Sequence, residues 1–138
     1  MKEAEYVGSN GKTYAIVIRK DIEVENVKFF TKEHDTLQVG MHKKVKDSVF
    51  LPHLHKKISR TIDVTEEFLY IISGRVSISI YDENKKKIKE VVLDSGDSVL
   101  FTAGGHGIKI LEDTRIIEVK QGPYTNVKDD KEKFEAEE

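Results

Sequence analysis

The chain has no cysteine and no tryptophan, and only two prolines and two methionines among its 138 residues. Without cysteine there is no disulfide framework, no thiolate metal site and no cysteine nucleophile, and the compartment is left open. No apolar run approaches the roughly 18 residues that signal a membrane-spanning helix, so no membrane association is expected. The first residues, Met1 to Glu5, lack the apolar stretch of a secretory leader, and a cytoplasmic location is the expectation. Neither sign of charge dominates: 23 basic residues face 25 acidic ones, for a net charge of −2. No basic stripe with interleaved aromatics is present, so nucleic acid is not an expected partner. Amphipathic helical periodicity is missing before residue 126.

What remains is a pattern of short strands. A chain of this length supports one domain with a real core. Ser9-Asn10-Gly11 separates Glu5–Val7 from Thr13–Arg19, and Asn-Gly is the strongest short hairpin signal. Further strands are expected at Val27–Phe30, Leu37–Lys43, Val49–His55, Glu67–Ser73, Arg75–Tyr81, Ile88–Leu93, Ser98–Phe101, Gly107–Leu111 and Arg115–Gln121. Asp82-Glu83-Asn84-Lys85 and Asp94-Ser95-Gly96-Asp97 supply turns between them. Regularly spaced short strands of this kind imply an all-β sandwich or barrel. The expected core is Val39, Val49, Leu69, Ile71, Val76, Ile78, Val92, Val99, Phe101, Ile108, Ile110, Ile117 and Val119. The domain is expected to span residues 5–125. Residues 126–138 form a charged tail, a short helix or frayed end, with Phe134 as its one large apolar anchor.

Chemistry concentrates in Pro52-His53-Leu54-His55. On a strand, side chains two residues apart project from one face, so His53 and His55 would point together. Imidazole is the commonest metal ligand, and Glu67 and His106 are suited to complete a mixed nitrogen and oxygen shell. Glu66 is the neighbouring candidate for the carboxylate, but Glu67 shares its parity with Leu69 and Ile71. His34 and His42 carry no such pattern. Arg60 is either a bidentate contact to an anionic substrate or an ordinary loop arginine. Glu118, Lys120 and Gln121 form either an exterior polar face or a polar lining at the mouth, and Tyr70 and Tyr124 are amphipathic aromatics.

The order of these residues resembles the cupin superfamily. Its first motif places a glutamate and a glycine after His-x-His, matched here by His53, His55, Glu67 and Gly74, with six residues between the last two. Its second motif is matched by Gly96 and Gly104, with Thr102 in place of a proline and His106 one residue early. Eleven residues lie between His55 and Glu67, where the family has three or four, implying a longer loop or small hairpin near the barrel mouth. Arg60–Ile62, Glu67–Tyr70, Gly104–Gly107, Leu111–Thr114 and Ile117–Tyr124 resemble a subgroup of small single-domain bacterial cupins, some of which accompany surface-polysaccharide or nucleotide-sugar genes. The resemblance implies a cupin-type jelly-roll β-barrel (double-stranded β-helix). It also implies a divalent transition metal (Fe, Mn, Ni, Cu or Zn) on His53, His55, Glu67 and His106. A homodimer with paired or exchanged N-terminal strands is implied as well.

The functional expectation is a metal-binding cupin acting on a small polar or sugar-like molecule, with Arg60, Lys120, Gln121 and Tyr70 as candidate substrate contacts. A non-catalytic binding or sensing module is the alternative. A metal-free structural or sugar-binding cupin, in which the histidines only form hydrogen bonds, is the third possibility. No catalytic residue is assigned.

Overall fold

The structure is a computed structural model that describes residues 3–136. It is all-β apart from one helical turn, α1 (Val127–Asp130). The described residues form ten strands: β1 (Glu5–Ser9), β2 (Lys12–Ile18), β3 (Val27–Phe29), β4 (Gly40–His42), β5 (Glu67–Ser73), β6 (Arg75–Tyr81), β7 (Lys87–Asp94), β8 (Ser98–Phe101), β9 (Gly105–Ile110) and β10 (Arg115–Lys120). A five-stranded sheet runs β1-β2-β8-β5-β10, a three-stranded sheet β7-β6-β9 and a two-stranded ribbon β3-β4. Every pairing is antiparallel.

Local chemistry sets the turns. Asn10 and Gly11 both have positive φ, 53° and 76°, the twist that a two-residue hairpin requires. In the β6–β7 turn, Asp82 Oδ1 accepts the backbone N–H groups of Asn84 and Lys86 at 2.8 and 3.0 Å. Buried Asp97 accepts the N–H groups of Lys20 and Asp94, each at 2.9 Å, and pairs with Arg19 at 3.2 Å. It thereby ties the end of β2 to the turn before β8.

Two apolar layers follow from strand parity. The inner one lies between the sheets: Ala15, Val17, Leu69, Ile71, Val99 and Phe101 from the larger sheet meet Val76, Ile78, Ile80, Val91 and Leu93 from the smaller. The outer layer covers the other face of the larger sheet. There Ile16, Ile18 and Leu100 pack with Ile22, Val24 and Phe30, flanked by Leu37, Val39, Met41 and Phe68. Burying side chains of this size contributes about 1.5–3 kcal/mol each.

Three sequence expectations are corrected. Val49–His55 is not a strand: residues 43–66 hold no strand or helix, and every residue from 42 to 65 is exposed. Val49 is therefore no core residue, at 77 % exposure. The alternation is there, but nothing hydrogen-bonds to this segment's backbone as a neighbouring strand would. In β7 the buried residues are Val91 and Leu93, not Val92, because they face Ile78 and Val76 in register. A run of consecutive aliphatics does not declare its parity. In β10, Ile117 and Val119 pair with Tyr70 and Phe68, on the outer face, while Ile116, Glu118 and Lys120 share the inner face with Ile71, Leu69 and Glu67. Ile108 and Ile110 do carry the inner parity, opposite Ile78 and Val76, yet they stay substantially exposed because β9 is an uncovered edge.

Candidate functional site

Glu67 opens β5 and His106 is the second residue of β9, so one comes from each sheet. Their side chains meet across the inner space, with His106 Nε2 3.3 Å from Glu67 Oε2. The His106 ring lies flat on Phe101, with centroids 3.7 Å apart and planes 5° from parallel. That stack fixes the ring plane and leaves an edge for the carboxylate. Gly104 sets up the approach. Its φ is +65°, and an added Cβ would stand 2.2 Å from the carbonyl oxygen of Tyr81. Only glycine suits that position, and the tight turn delivers His106 opposite Ile80 on the inner face.

Glu118 completes a three-residue group through a hydrogen bond to Glu67. The contact with His106 holds the Glu67 carboxyl down at about 2; burial opposes this, and the bond from Glu118 adds to it. Glu118 moves the other way, its pKa raised first by that same bond and then by desolvation and the nearby negative charge. Two carboxyls sharing one proton behave in this way: the ionised partner accepts and the neutral one donates. The arrangement is a carboxylate–imidazole–carboxyl cluster able to hold or pass a proton at the Glu67 and Glu118 oxygens and His106 Nε2.

The cluster faces a cavity of about 680 Å³, lined also by Tyr81, Phe101, Ile108 and the tail residues Lys131, Lys133 and Phe134. Such a volume suits a small ligand. The tail closes one side. Phe134 meets the Tyr81 ring edge-on at 5.2 Å, Glu132 pairs with Lys85 at 2.7 Å, and Asp130 pairs with Lys120 at 2.9 Å. A second cavity, about 620 Å³, lies beside Lys12, Lys32, His34 and Glu83. Its buried acid, Glu66, is already committed: burial raises its pKa, and it accepts the Leu37 N–H at 2.8 Å.

The sequence candidates divide into three places. Glu67 and His106 come together. His53 and His55 stand on the exposed segment, their rings 5.2 Å apart, and His53 Nδ1 contacts the Leu51 carbonyl at 2.9 Å. Arg60 is exposed on the same segment. The remaining three lie on or beside β5 and β10, outside the lining of this cavity. Lys120 carries the inner parity and is held by Asp130. Gln121 bridges the Glu66 N–H at 2.6 Å and Thr36 Oγ1 at 2.8 Å. Tyr70 has the opposite parity to Glu67 and lies half-exposed on the outer face. Phe101 as a stacking platform, and the tail as a wall, were missed in the sequence. Of Glu118's two sequence readings, the lining is the one its register with Leu69 matches.

Among the described residues no group of three or more His, Asp or Glu side chains is arranged to hold a metal ion. No buried side-chain nitrogen or oxygen among them lacks a hydrogen-bond partner. Of the four donors expected from the sequence, Glu67 and His106 lie together at the cavity, and His53 and His55 stand on the exposed segment. No helix among the described residues is long and apolar enough to cross a membrane. No family model, curated protein or solved structure matches the chain.

Proposed function

We propose that this is a cupin-type jelly roll whose inter-sheet cavity binds a small polar, sugar-like molecule beside the Glu67–His106–Glu118 cluster. The observation that carries the reading is the 3.3 Å contact of His106 with Glu67, made on the Phe101 platform at the wall of that cavity. Three polar groups converge on a concave, partly aromatic surface, the usual anatomy of a small-molecule site. Tyr81 and Phe134 form the aromatic part of the cavity lining, and Lys131 and Lys133 offer positive charge at the rim for an anionic substituent. In this reading a divalent transition metal joins the site through His53, His55, Glu67 and His106, which requires the exposed segment to reach the cavity.

A second reading rests on the cluster alone. The pKa of Glu67 is held low beside His106 while that of its neighbour Glu118 is raised, a separation suited to general acid–base chemistry by these side chains alone. The experiment begins with purified protein, assayed for stoichiometric metal by elemental analysis and titrated calorimetrically with Mn²⁺ or Zn²⁺. A panel of monosaccharides and nucleotide sugars is then titrated before and after chelation. Metal binding lost in the His53→Ala/His55→Ala variant supports the four-donor site. Sugar turnover that survives chelation assigns the work to the acid–base cluster. Sugar binding without turnover makes the protein a binding module. Absence of both metal and sugar binding in the wild-type chain sinks the proposal.

A further inference from the structure

The segment from 42 to 65 poses a physical problem that the single chain leaves open. Every one of its residues is exposed, including Val49, Phe50, Leu51, Leu54, Ile58 and Ile62. Among the described residues, the only hydrogen bond made by residues 49–64 is internal, from His53 to the Leu51 carbonyl. Exposing this much apolar side chain is costly at about 25 cal/mol per Å². The body of the molecule has the converse defect. Strand β9 ends the smaller sheet and β10 ends the larger; among the described residues no strand pairs with the outer edge of either. Ile108 and Ile110 of β9 turn inward yet remain 38 % and 54 % exposed, because that side of the sandwich is open.

We propose that residues 49–55 of a second copy of this chain occupy that open edge, giving an arm-exchanged dimer in which each site takes His53 and His55 from its partner. The sequence of the arm fits the edge. Val49, Leu51, His53 and His55 share one parity. Laid antiparallel to β9 with Leu51 opposite Ile108, this face sets Val49 against Ile110 and His53 against His106. Aliphatics then meet aliphatics and imidazole meets imidazole. A shift of one residue turns all four away from the cavity. Pro52 takes the outward parity, and an edge strand tolerates proline. The arm leaves the body after β4 and returns at β5. Used as an out-and-back loop, it extends about 40 Å at ~3.3 Å per residue, enough to cross onto a neighbouring body. A second copy is the occupant that the chain itself specifies, because arm and edge are complementary and both belong to every chain. Exchange about a two-fold axis satisfies both arms at once. The histidine contribution extends the function proposed above and rests on it; the exchange itself rests on the arm and edge alone.

Two experiments separate those parts. The native chain has no cysteine, so introduced thiols are unambiguous. Chains carrying Leu51→Cys alone and Ile108→Cys alone are mixed, allowed to re-equilibrate and oxidised. The expected product is a mixed disulfide of two chains, with twice the 15.8 kDa mass of one, absent when either variant is oxidised alone. A Leu51→Cys/Ile108→Cys chain that closes within itself at monomer mass overturns the exchange, as does absence of any cross-link. Light scattering of the wild type as a monomer at all concentrations overturns it too. Next, His53→Ala/His55→Ala chains are mixed with Glu67→Ala/His106→Ala chains and titrated with Zn²⁺. Exchange restores one ion per mixed dimer, whereas neither parent binds any. A mixed dimer that forms but binds no zinc overturns the histidine contribution. If the wild type binds no zinc at all, the metal reading falls, and the cross-link still decides the exchange.

Discussion

Glu67 shows how one side chain couples the site to the stability of the sandwich. Its carboxyl falls from an ordinary 4.5 to about 2 in the folded chain, chiefly through His106. A depressed carboxyl contributes stability that is fully present above 4.5 and is lost as the pH falls from 4.5 towards 2. Urea unfolding of the wild type in the absence of metal will therefore weaken across that window. Glu67→Gln will weaken less, by ~1–2 kcal/mol after allowing for solvent screening. Equal pH slopes for the two proteins would refute the coupling. Glu118 carries the opposite sign. Its pKa is raised, so the folded state holds the proton more tightly, and ionising it at higher pH costs stability. Glu118→Gln keeps a donor toward Glu67 and removes that cost. It should leave the fold intact and flatten the fall in urea midpoint that accompanies ionisation of Glu118 as the pH rises; an unchanged pH dependence would count against the raised pKa. Glu67 and His106 were singled out in the sequence as metal-ligand candidates, and the fold brings the two side chains together. Phe101 was not, since an apolar residue in β8 reads as core until the His106 ring is seen lying on it.

At the scale of the strand, parity decides which residues matter, and β7 offers a direct test. Leu93 is fully buried against the smaller sheet's partner strand, while Val92 is 42 % exposed. Leu93→Ala should cost about 2–5 kcal/mol, and Val92→Ala less than ~1 kcal/mol, in chemical unfolding at constant m. Comparable losses would mean that the register of β6 with β7 is wrong. The same variable explains what the sequence reveals of the elements. Glu67–Ser73, Arg75–Tyr81 and Ser98–Phe101 were readable to the residue because turns or glycines punctuate them and their neighbours pair with them in the same chain. Residues 117 and 119 were misassigned to the core because apolar side chains also cover an outer face, beside Tyr70 and Phe68. Val49–His55 has the alternation of a strand, but a strand is a relation between two segments, and alternation says nothing about the second one.

Across the whole molecule the two apolar layers differ in how they are held. The inner layer is closed by both sheets, and Leu69, Ile71, Val76, Ile78, Ile80, Leu93 and Val99 are all at most 2 % exposed. The outer layer depends on loops and the short β3–β4 ribbon, whose strands are three residues each. Two-stranded ribbons have little stability of their own. Fewer cooperative pairings must break to open that layer, so its local opening free energy lies well below the global one. Hydrogen exchange should resolve two classes of amide. Those of β5, β6 and β8 will exchange only through global unfolding and will track the denaturant midpoint. Those of β3 and β4, with the Phe30 N–H bonded to Val39 at 2.9 Å, will exchange at least ~10-fold faster and respond weakly to denaturant. This gradient bears on the arm, because residues 43–66 spring from β4 at one end and β5 at the other. One root lies in the loosest layer and the other in the firmest, so the arm can swing at the β4 side while β5 keeps Glu67 in place. Uniform protection across β3, β4, β5 and β8 would remove that hinge and leave a single rigid unit.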